Sequence, residues 1–300
     1  MHTLAGQLGQ QVIAAERRAL QSGALQPIPV TFEWRQDAGL PFLVRQVRIP
    51  TRKTSPTAAD EPRPNPFLPY DPALFVADAG PQHVCLLNKF PVIPRHTLIV
   101  TRHFEHQQTP LNADDFTSWW QCLTSYPSLG FYNGGTIAGA SQPHKHMQVV
   151  PLPLEKGSGV TLPWEPWVLE ALRDTAGPGP CLNAVRQFRF THVAVRLDGW
   201  ATAAADEVGQ PLEALYRQML ERVELEVCNA SDGRLSRPYN LLLTPRWMLM
   251  VPRRHESFAT ISLNGLAFAG AVLVWNSDQW HQLSRQGLLA ALEHVAFPLR

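Results

Sequence analysis

Hydrophobic and polar positions alternate between two periods along this 300-residue chain, and the switches outline its elements. Residues 3–22 read as an amphipathic helix, stopped by Gly23 and Pro27. Residues 30–36 and 42–49 read as two strands around the turn residues Asp37, Gly39 and Pro41. Six prolines between Thr54 and Pro72 exclude regular helix, so that stretch is a loop, and Lys53 at its root suits an active-site flap. Apolar strands near 83–87 and 97–101 flank a turn holding Asn88, Lys89, Pro91, Pro94 and Arg95. Asn112 or Asp114 caps a helix through Phe116, Trp119, Trp120 and Leu123, whose aromatic side packs on this sheet.

A glycine-rich run then leads into a strand in which His144, His146 and Gln148 alternate with Lys145, Met147 and Val149. Two Gly/Pro clusters in 153–180, around a short helix at 165–174, have the composition of a linker. Beyond it come a strand at 188–195, a helix at 212–227 and a hairpin at 239–255, followed by a glycine-containing apolar stretch at 262–274 and a final helix over 278–293. The hairpin matches 83–102 in layout, and 262–274 echoes 130–150 without its histidines. These matches predict an internal duplication whose first copy kept the reactive residues. The expected division is 1–160, a linker at 161–180, and 181–300 completing the substrate cleft.

Apolar content of 45% with 17% charged residues describes a globular protein, and a net charge of +1 gives no reason to expect a nucleic-acid or membrane partner. No apolar run approaches the roughly 20 residues that span a bilayer, and the N-terminus lacks a signal-peptide pattern, so a cytoplasmic location is expected. Cys85, Cys122, Cys181 and Cys228 are scattered and suggest neither disulfides nor a zinc site. Only four lysines, Lys53, Lys89, Lys145 and Lys156, stand against 22 arginines. The first three fall in stretches that look functional on other grounds, where a compact ammonium suits a phosphate.

Strand alternation puts His144, His146 and Gln148 on one face and Lys145 on the other. Small residues before the strand free backbone N–H groups to meet an anion. Together these features point to a phosphate site with a histidine nucleophile. His146 is central, His144 would orient its ring or hold its tautomer through another group, and Gln148 would donate to a phosphate oxygen. An amide cannot titrate, so a good leaving group such as a nucleoside polyphosphate is expected. Two histidines alone do not make a metal site. The tryptophans 119, 120, 164 and 167 read as core rather than as adenine-stacking residues.

Ser141-Gln-Pro-His-Lys-His-Met-Gln148, preceded by Phe131-Tyr-Asn-Gly-Gly, resembles the signature of the diadenosine tetraphosphate (Ap4A) phosphorylases, or ATP adenylyltransferases, of the histidine-triad superfamily. The resemblance continues in order through Lys53-Thr-Ser-Pro-Thr, Pro66-Phe-Leu-Pro, Leu87-Asn-Lys-Phe-Pro, Tyr239-Asn-Leu-Leu-Leu-Thr and Asn264-Gly-Leu-Ala-Phe-Ala-Gly. It implies an α+β protein of antiparallel sheets with helices, made of two histidine-triad-like halves. It also implies that Ap4A and phosphate become ATP and ADP through an adenylylated His146. By position, Gln148 resembles a phosphate ligand, and Lys53, Asn88, Lys89, Asn133, Gly139, Ala140, Ser141 and Gln142 resemble nucleotide-binding positions, with Asn264, Gly265 and Leu266 matching substrate contacts of the second half.

Where the family often carries a methionine and then a lysine after Gly270, this chain has Ala271 and Trp275, which bears on how the distal phosphates are held. Mg2+ or another divalent cation is expected to arrive with the polyphosphate rather than on a protein-held site, with no organic cofactor. A duplicated chain forms internally what smaller relatives form by dimerising, so a monomer is expected. The competing readings are a related dinucleoside polyphosphate hydrolase or hexose-1-phosphate uridylyltransferase, and a nucleotide-binding regulator with an idle histidine.

Overall fold

The structure is a computed structural model describing residues 3–48, 65–173, 179–197, 199–200, 202–225 and 233–299. Helix α1 (Thr3–Ser22) buries Leu8, Val12, Ala15 and Ala19, four apolar positions at helical spacing. Strands β1 (Val30–Asp37) and β2 (Leu40–Val47) form a hairpin in full register from Val30↔Val47 to Asp37↔Leu40. Next come β3 (Phe75–Asp78), β4 (His83–Leu87) and β5 (Thr97–Thr101). Asn112 caps α2 (Ala113–Leu123): its side chain accepts from Asp115 N, and the Asp115 carboxylate accepts from Asn112 N. Helix α2 leads to β6 (Ser128–Gly134), the glycine loop and β7 (His146–Pro151).

After α3 (Glu165–Ala171), the second half contains β8 (Cys181–Leu182), β9 (Val193–Arg196), α4 (Ala205–Arg222), β10 (Tyr239–Leu243) and β11 (Trp247–Pro252). The small hairpin β12 (Ser257–Phe258) and β13 (Ile261–Ser262) precedes a 3-10 turn at Gly265–Ala269, β14 (Ala271–Val274), α5 (Ser277–Gln286) and α6 (Leu288–Val295). Several element boundaries differ from the sequence reading: the strand expected at 188–195 is confined to Val193–Arg196, and two helices are re-divided. Helix α4 begins at Ala205 and carries Pro211 inside it, because it packs closely on α2: a Cβ added at Gly209 would lie 2.1 Å from Thr117 Oγ1. The single C-terminal helix is two, broken at Gly287 with φ 96°, after which the Asp37 carboxylate accepts from Leu289 N.

Among the described residues nine strands form one antiparallel sheet in the order β3-β4-β5-β7-β6-β10-β11-β9-β8, while β14 pairs in parallel with β2 in a second sheet, β1-β2-β14. Outward from the β6–β10 seam the order is the same on both sides: β6, β7, β5, β4 and β10, β11, β9, β8. The fold is therefore α+β and its large sheet is two-fold in plan, but the correspondence differs from the one read in the sequence. Hairpin 239–252 is the counterpart of β6–β7, not of 83–102, and among the described residues 262–274 has no equivalent in the first half's sheet. Apolar hairpins with a basic turn look alike locally, and only strand pairing separates them.

Alternation divides the sheet's two faces. Met147, Val149, Tyr132, Leu241 and Met248 join a core under α1, α2 and α4 that encloses Trp119 and Trp120. Gly130 is required here, since a Cβ would stand 2.7 Å from the Trp119 indole. On the opposite face Phe131, Val150, Leu242 and Leu249 pack with Phe42, Trp164, Phe188 and Phe190. His146 and Gln148 lie on that second face, between this core and a smaller cluster of Phe67, Val84, Leu86, Leu98 and Val100.

Candidate active site

His146 opens β7 and is only 4% exposed. Its Nδ1 lies 2.8 Å from the His144 carbonyl, which only accepts, so Nδ1 carries the proton and Nε2 keeps a free lone pair. Burial lowers its pKa to about 4 against the raising effect of that hydrogen bond, so the ring is neutral at pH 7. The Phe67 ring packs against both His144 and His146, at 5.5 and 5.4 Å between centroids, which places the two imidazoles on one face as alternation requires.

The His144 ring does not orient His146; its backbone does. Its own Nε2 donates to the Thr101 carbonyl at 2.8 Å, and its Nδ1 accepts from Asn65 Nδ2 at 2.9 Å. Both ring nitrogens are thus engaged, tying the chain at Asn65 to the nucleophile strand. Burial lowers the pKa of His144 as well.

Gln148 is held by a residue the sequence reading passed over. His96 donates from Nε2 to Gln148 Oε1 at 2.9 Å, and its Nδ1 accepts from Asn88 Nδ2 at 3.0 Å. Burial lowers the His96 pKa to about 4, so one proton sits on Nε2 and the relay Asn88→His96→Gln148 has a single direction. With Oε1 occupied, the Gln148 amide group is left with its N–H donors for a ligand. Asn88 Oδ1 accepts from Phe90 N, so Asn88 supports Gln148 through His96. Lys89 follows on the same turn and is exposed.

Lys145 points away from His146, as alternation requires, into a buried cluster behind the sheet. Its Nζ lies 2.8 Å from both Glu105 and Asp115, and Asp115 also accepts from His83 at 2.8 Å.

The glycine loop meets the second half through Asn133. Its Oδ1 accepts from Asn240 Nδ2 at 2.8 Å and from Gly265 N at 3.0 Å. Asn264 caps the 3-10 turn by accepting from Leu266 N. Gly139, at φ 90°, lies so close that an added Cβ would sit 2.8 Å from the Asn264 Cβ. Buried Arg253 donates to Asn240 Oδ1 and to the carbonyls of Leu263, His255 and Glu256. The structure therefore brings Asn133, Gly139, Asn264, Gly265 and Leu266 together. Ala140 is buried, Ser141 is exposed and Gln142 is half-buried along the same loop. Lys53 lies outside the described residues. Asn240 and Arg253 were missed although a buried asparagine inside Tyr239-Asn-Leu-Leu-Leu-Thr is itself a signal.

Residues 1–170 match the Ap4A phosphorylase N-terminal domain, and 186–298 match the ATP adenylyltransferase C-terminal domain. The chain belongs to the Ap4A phosphorylase family. Among relatives in that family, diadenosine 5',5'''-P1,P4-tetraphosphate phosphorylase 2 of Saccharomyces cerevisiae is 28% identical over 277 residues, covering 82% of this chain and 79% of the relative. Protein APA1 of the same yeast is 26% identical over 274 residues, with 82% and 79% covered. The crystal structure of yeast Ap4A phosphorylase Apa2 in complex with Ap4A shares the fold, with a TM-score of 0.75 at 24% identity and 97% and 98% of the two chains covered. That of Apa2 in complex with AMP superposes with a TM-score of 0.77 at 23% identity, covering 97% and 98%.

For a member of the Ap4A phosphorylase family, the directed Gln148 amide makes a sharp prediction. Gln148→Glu keeps the shape and the acceptor for His96 but replaces the outward N–H donors with an anionic oxygen. Turnover of a dinucleoside polyphosphate is expected to fall on the order of 10²- to 10³-fold, the usual effect of losing one preorganised donor. A melting temperature unchanged from wild type would show that the loss is chemical, and wild-type turnover would refute the donor role.

Proposed function

We propose that this protein is an Ap4A phosphorylase that converts Ap4A and phosphate into ATP and ADP through an adenylyl-histidine on His146. The observation that carries this reading is the bare Nε2 of a buried, neutral His146 beside an outward-directed Gln148 amide, in a chain of this family. In the first step the Nε2 lone pair bonds to the phosphorus of one adenylyl group, the phosphoanhydride P–O bond breaks, and ATP leaves. In the second, a phosphate oxygen bonds to the same phosphorus, the N–P bond breaks, and ADP leaves with Nε2 bare again.

Gln148 donates to a non-bridging oxygen, where charge builds in both steps, and the backbone of Ser141 and Gln142 offers N–H groups at the lip of the loop. The leaving group is a polyphosphate that is stable as an anion, so no general acid is required and an amide suffices at this position. Asn133 from the first half and Asn264, Gly265 and Leu266 from the second close the nucleotide cleft. Mg2+ arrives on the polyphosphate, which it partly neutralises. The described residues contain no group of three or more His, Cys, Asp or Glu side chains that could hold a metal directly.

We further propose that the enzyme acts as a monomer, because the β6–β10 seam joins the two halves within one chain. A cytoplasmic location fits this reading; no described helix is long and apolar enough to cross a membrane. Trp275, 43% exposed beyond β14, replaces the cation often found there, and it would weaken selection for a fixed number of distal phosphates.

The test is incubation with Ap4A and Mg2+, with and without phosphate, and resolution of the nucleotides by chromatography. ATP and ADP should form only when phosphate is present. ATP and AMP without phosphate would make the protein a hydrolase, and no turnover in either condition would favour the binding-protein reading.

A further inference from the structure

Strand β7 changes partner at the nucleophile. Before it, Lys145 N donates to the Glu105 carbonyl and Gln107 N to the Pro143 carbonyl, with His106 bridging His144, so residues 105–107 run antiparallel to 143–145. After it, β6 takes over, pairing Phe131 with Gln148 through to Ser128 with Pro151. Continued by one step of two residues, that register would put Asn133 opposite His146, but the ladder stops at Phe131↔Gln148 while β6 runs on beside β10 to Gly134. Parting takes the N–H and C=O of His146 and the carbonyl of Asn133 off the β6–β7 ladder; Gly135 N donates to the Asn133 carbonyl at 2.9 Å, but the buried His146 groups need a new partner.

The Gln107 side chain occupies that gap. Its Oε1 accepts from His146 N at 2.9 Å, and its Nε2 donates to the Asn133 carbonyl at 2.9 Å and the His146 carbonyl at 3.2 Å. One carboxamide thus replaces one peptide unit of the missing ladder. It is itself immobilised: Gln107 is 1% exposed, its N donates to Pro143 O, and its carbonyl accepts from the Tyr132 hydroxyl. Only an amide can accept from one partner and donate to two others in this arrangement; a carboxylate would face two carbonyls, and an apolar chain would satisfy none.

We infer that Gln107 is a positioning residue for the adenylyl transfer: it bridges the split between β6 and β7 and fixes the main chain of His146 so that Nε2 stays aimed at the phosphorus. Resting on the phosphorylase reading, this assignment predicts that Gln107 governs the chemical step and leaves nucleotide binding alone. A misplacement of about 1 Å can cost a reaction roughly 10²-fold. Gln107→Met and Gln107→Glu are therefore expected to lower kcat by about 10- to 100-fold while KM for Ap4A and the Kd for AMP stay at wild-type values.

The experiment measures kcat, KM and AMP affinity for both variants beside wild type. It also follows hydrogen exchange of the His146 Nδ1–H by NMR, assigned by its loss in His146→Ala. The inference expects slow exchange in wild type and faster exchange in both variants, together with the selective fall in kcat. Wild-type kcat in the variants, or a fall in kcat matched by lost AMP affinity, would overturn it. If Gln107→Met does not fold, Gln107→Glu carries the test, since it is isosteric and keeps an acceptor for His146 N. Absence of turnover in wild type would sink the phosphorylase reading instead, and the exchange measurement would still decide the role of Gln107.

Discussion

His146→Ala is expected to abolish phosphorolysis, with a fall on the order of 10⁴- to 10⁶-fold, as when the group carrying a covalent intermediate is removed. The alanine leaves no atom to take the adenylyl group, and His144 cannot substitute because both of its ring nitrogens are engaged. Wild type incubated with adenine-labelled Ap4A should retain label on the protein when phosphate is withheld, in an acid-labile phosphoramidate; the variant should retain none. A variant that still turns over would show that another nucleophile operates. The pH dependence adds a separate check. Burial lowers the His146 pKa to about 4, so the reactive neutral ring persists as pH falls through 6.5 and is lost only on approach to 4. An acid limb of kcat/KM assigned to His146 and centred near 6.5 would contradict the buried environment described here.

Local pattern made most of this site legible. The alternation of His144, Lys145, His146, Met147 and Gln148 placed His146 and Gln148 on one face and Lys145 and Met147 on the other, because a strand's period of two depends only on its own backbone. His96 and Gln107 were not legible. His96 stands just before the apolar strand β5 and Gln107 in the polar run His103–Gln108, where no periodicity marks a role, and both act across strands. The same limit explains the duplication. Sequence form paired 239–252 with 83–102, whereas the sheet order pairs it with β6–β7. The helix read over 212–227 begins at Ala205 and holds Pro211 inside it, because α4 packs on α2. Each failure falls where tertiary pairing overrode a local signal.

Lys145→Ala is expected to destabilise the protein by about 3–5 kcal/mol, the usual result of removing one partner from a buried ion pair. Lys145 is fully buried, as is Asp115, and Glu105 is the more exposed partner. Without the ammonium, Asp115 keeps only His83 and its own capping role at α2, and the carbonyl of Pro110 loses its donor. A fall in melting temperature of roughly 5–10 °C follows, smaller for Lys145→Met, which refills the volume. The sign of the pH effect is fixed by Asp115. Burial pushes its pKa up, but the His83 hydrogen bond and the Lys145 charge outweigh burial and hold it below 3.8. A carboxylate depressed in the folded state contributes stability above its unfolded pKa and loses it as pH falls through the folded one. The gap in melting temperature between wild type and Lys145→Met should therefore narrow as pH drops below about 4. Were Lys145 instead a phosphate ligand, Lys145→Met would raise KM for Ap4A at unchanged melting temperature. Geometry requires the reverse, since this ammonium lies behind the sheet, anchoring α2 and the segment that carries Gln107 to the strand of the nucleophile.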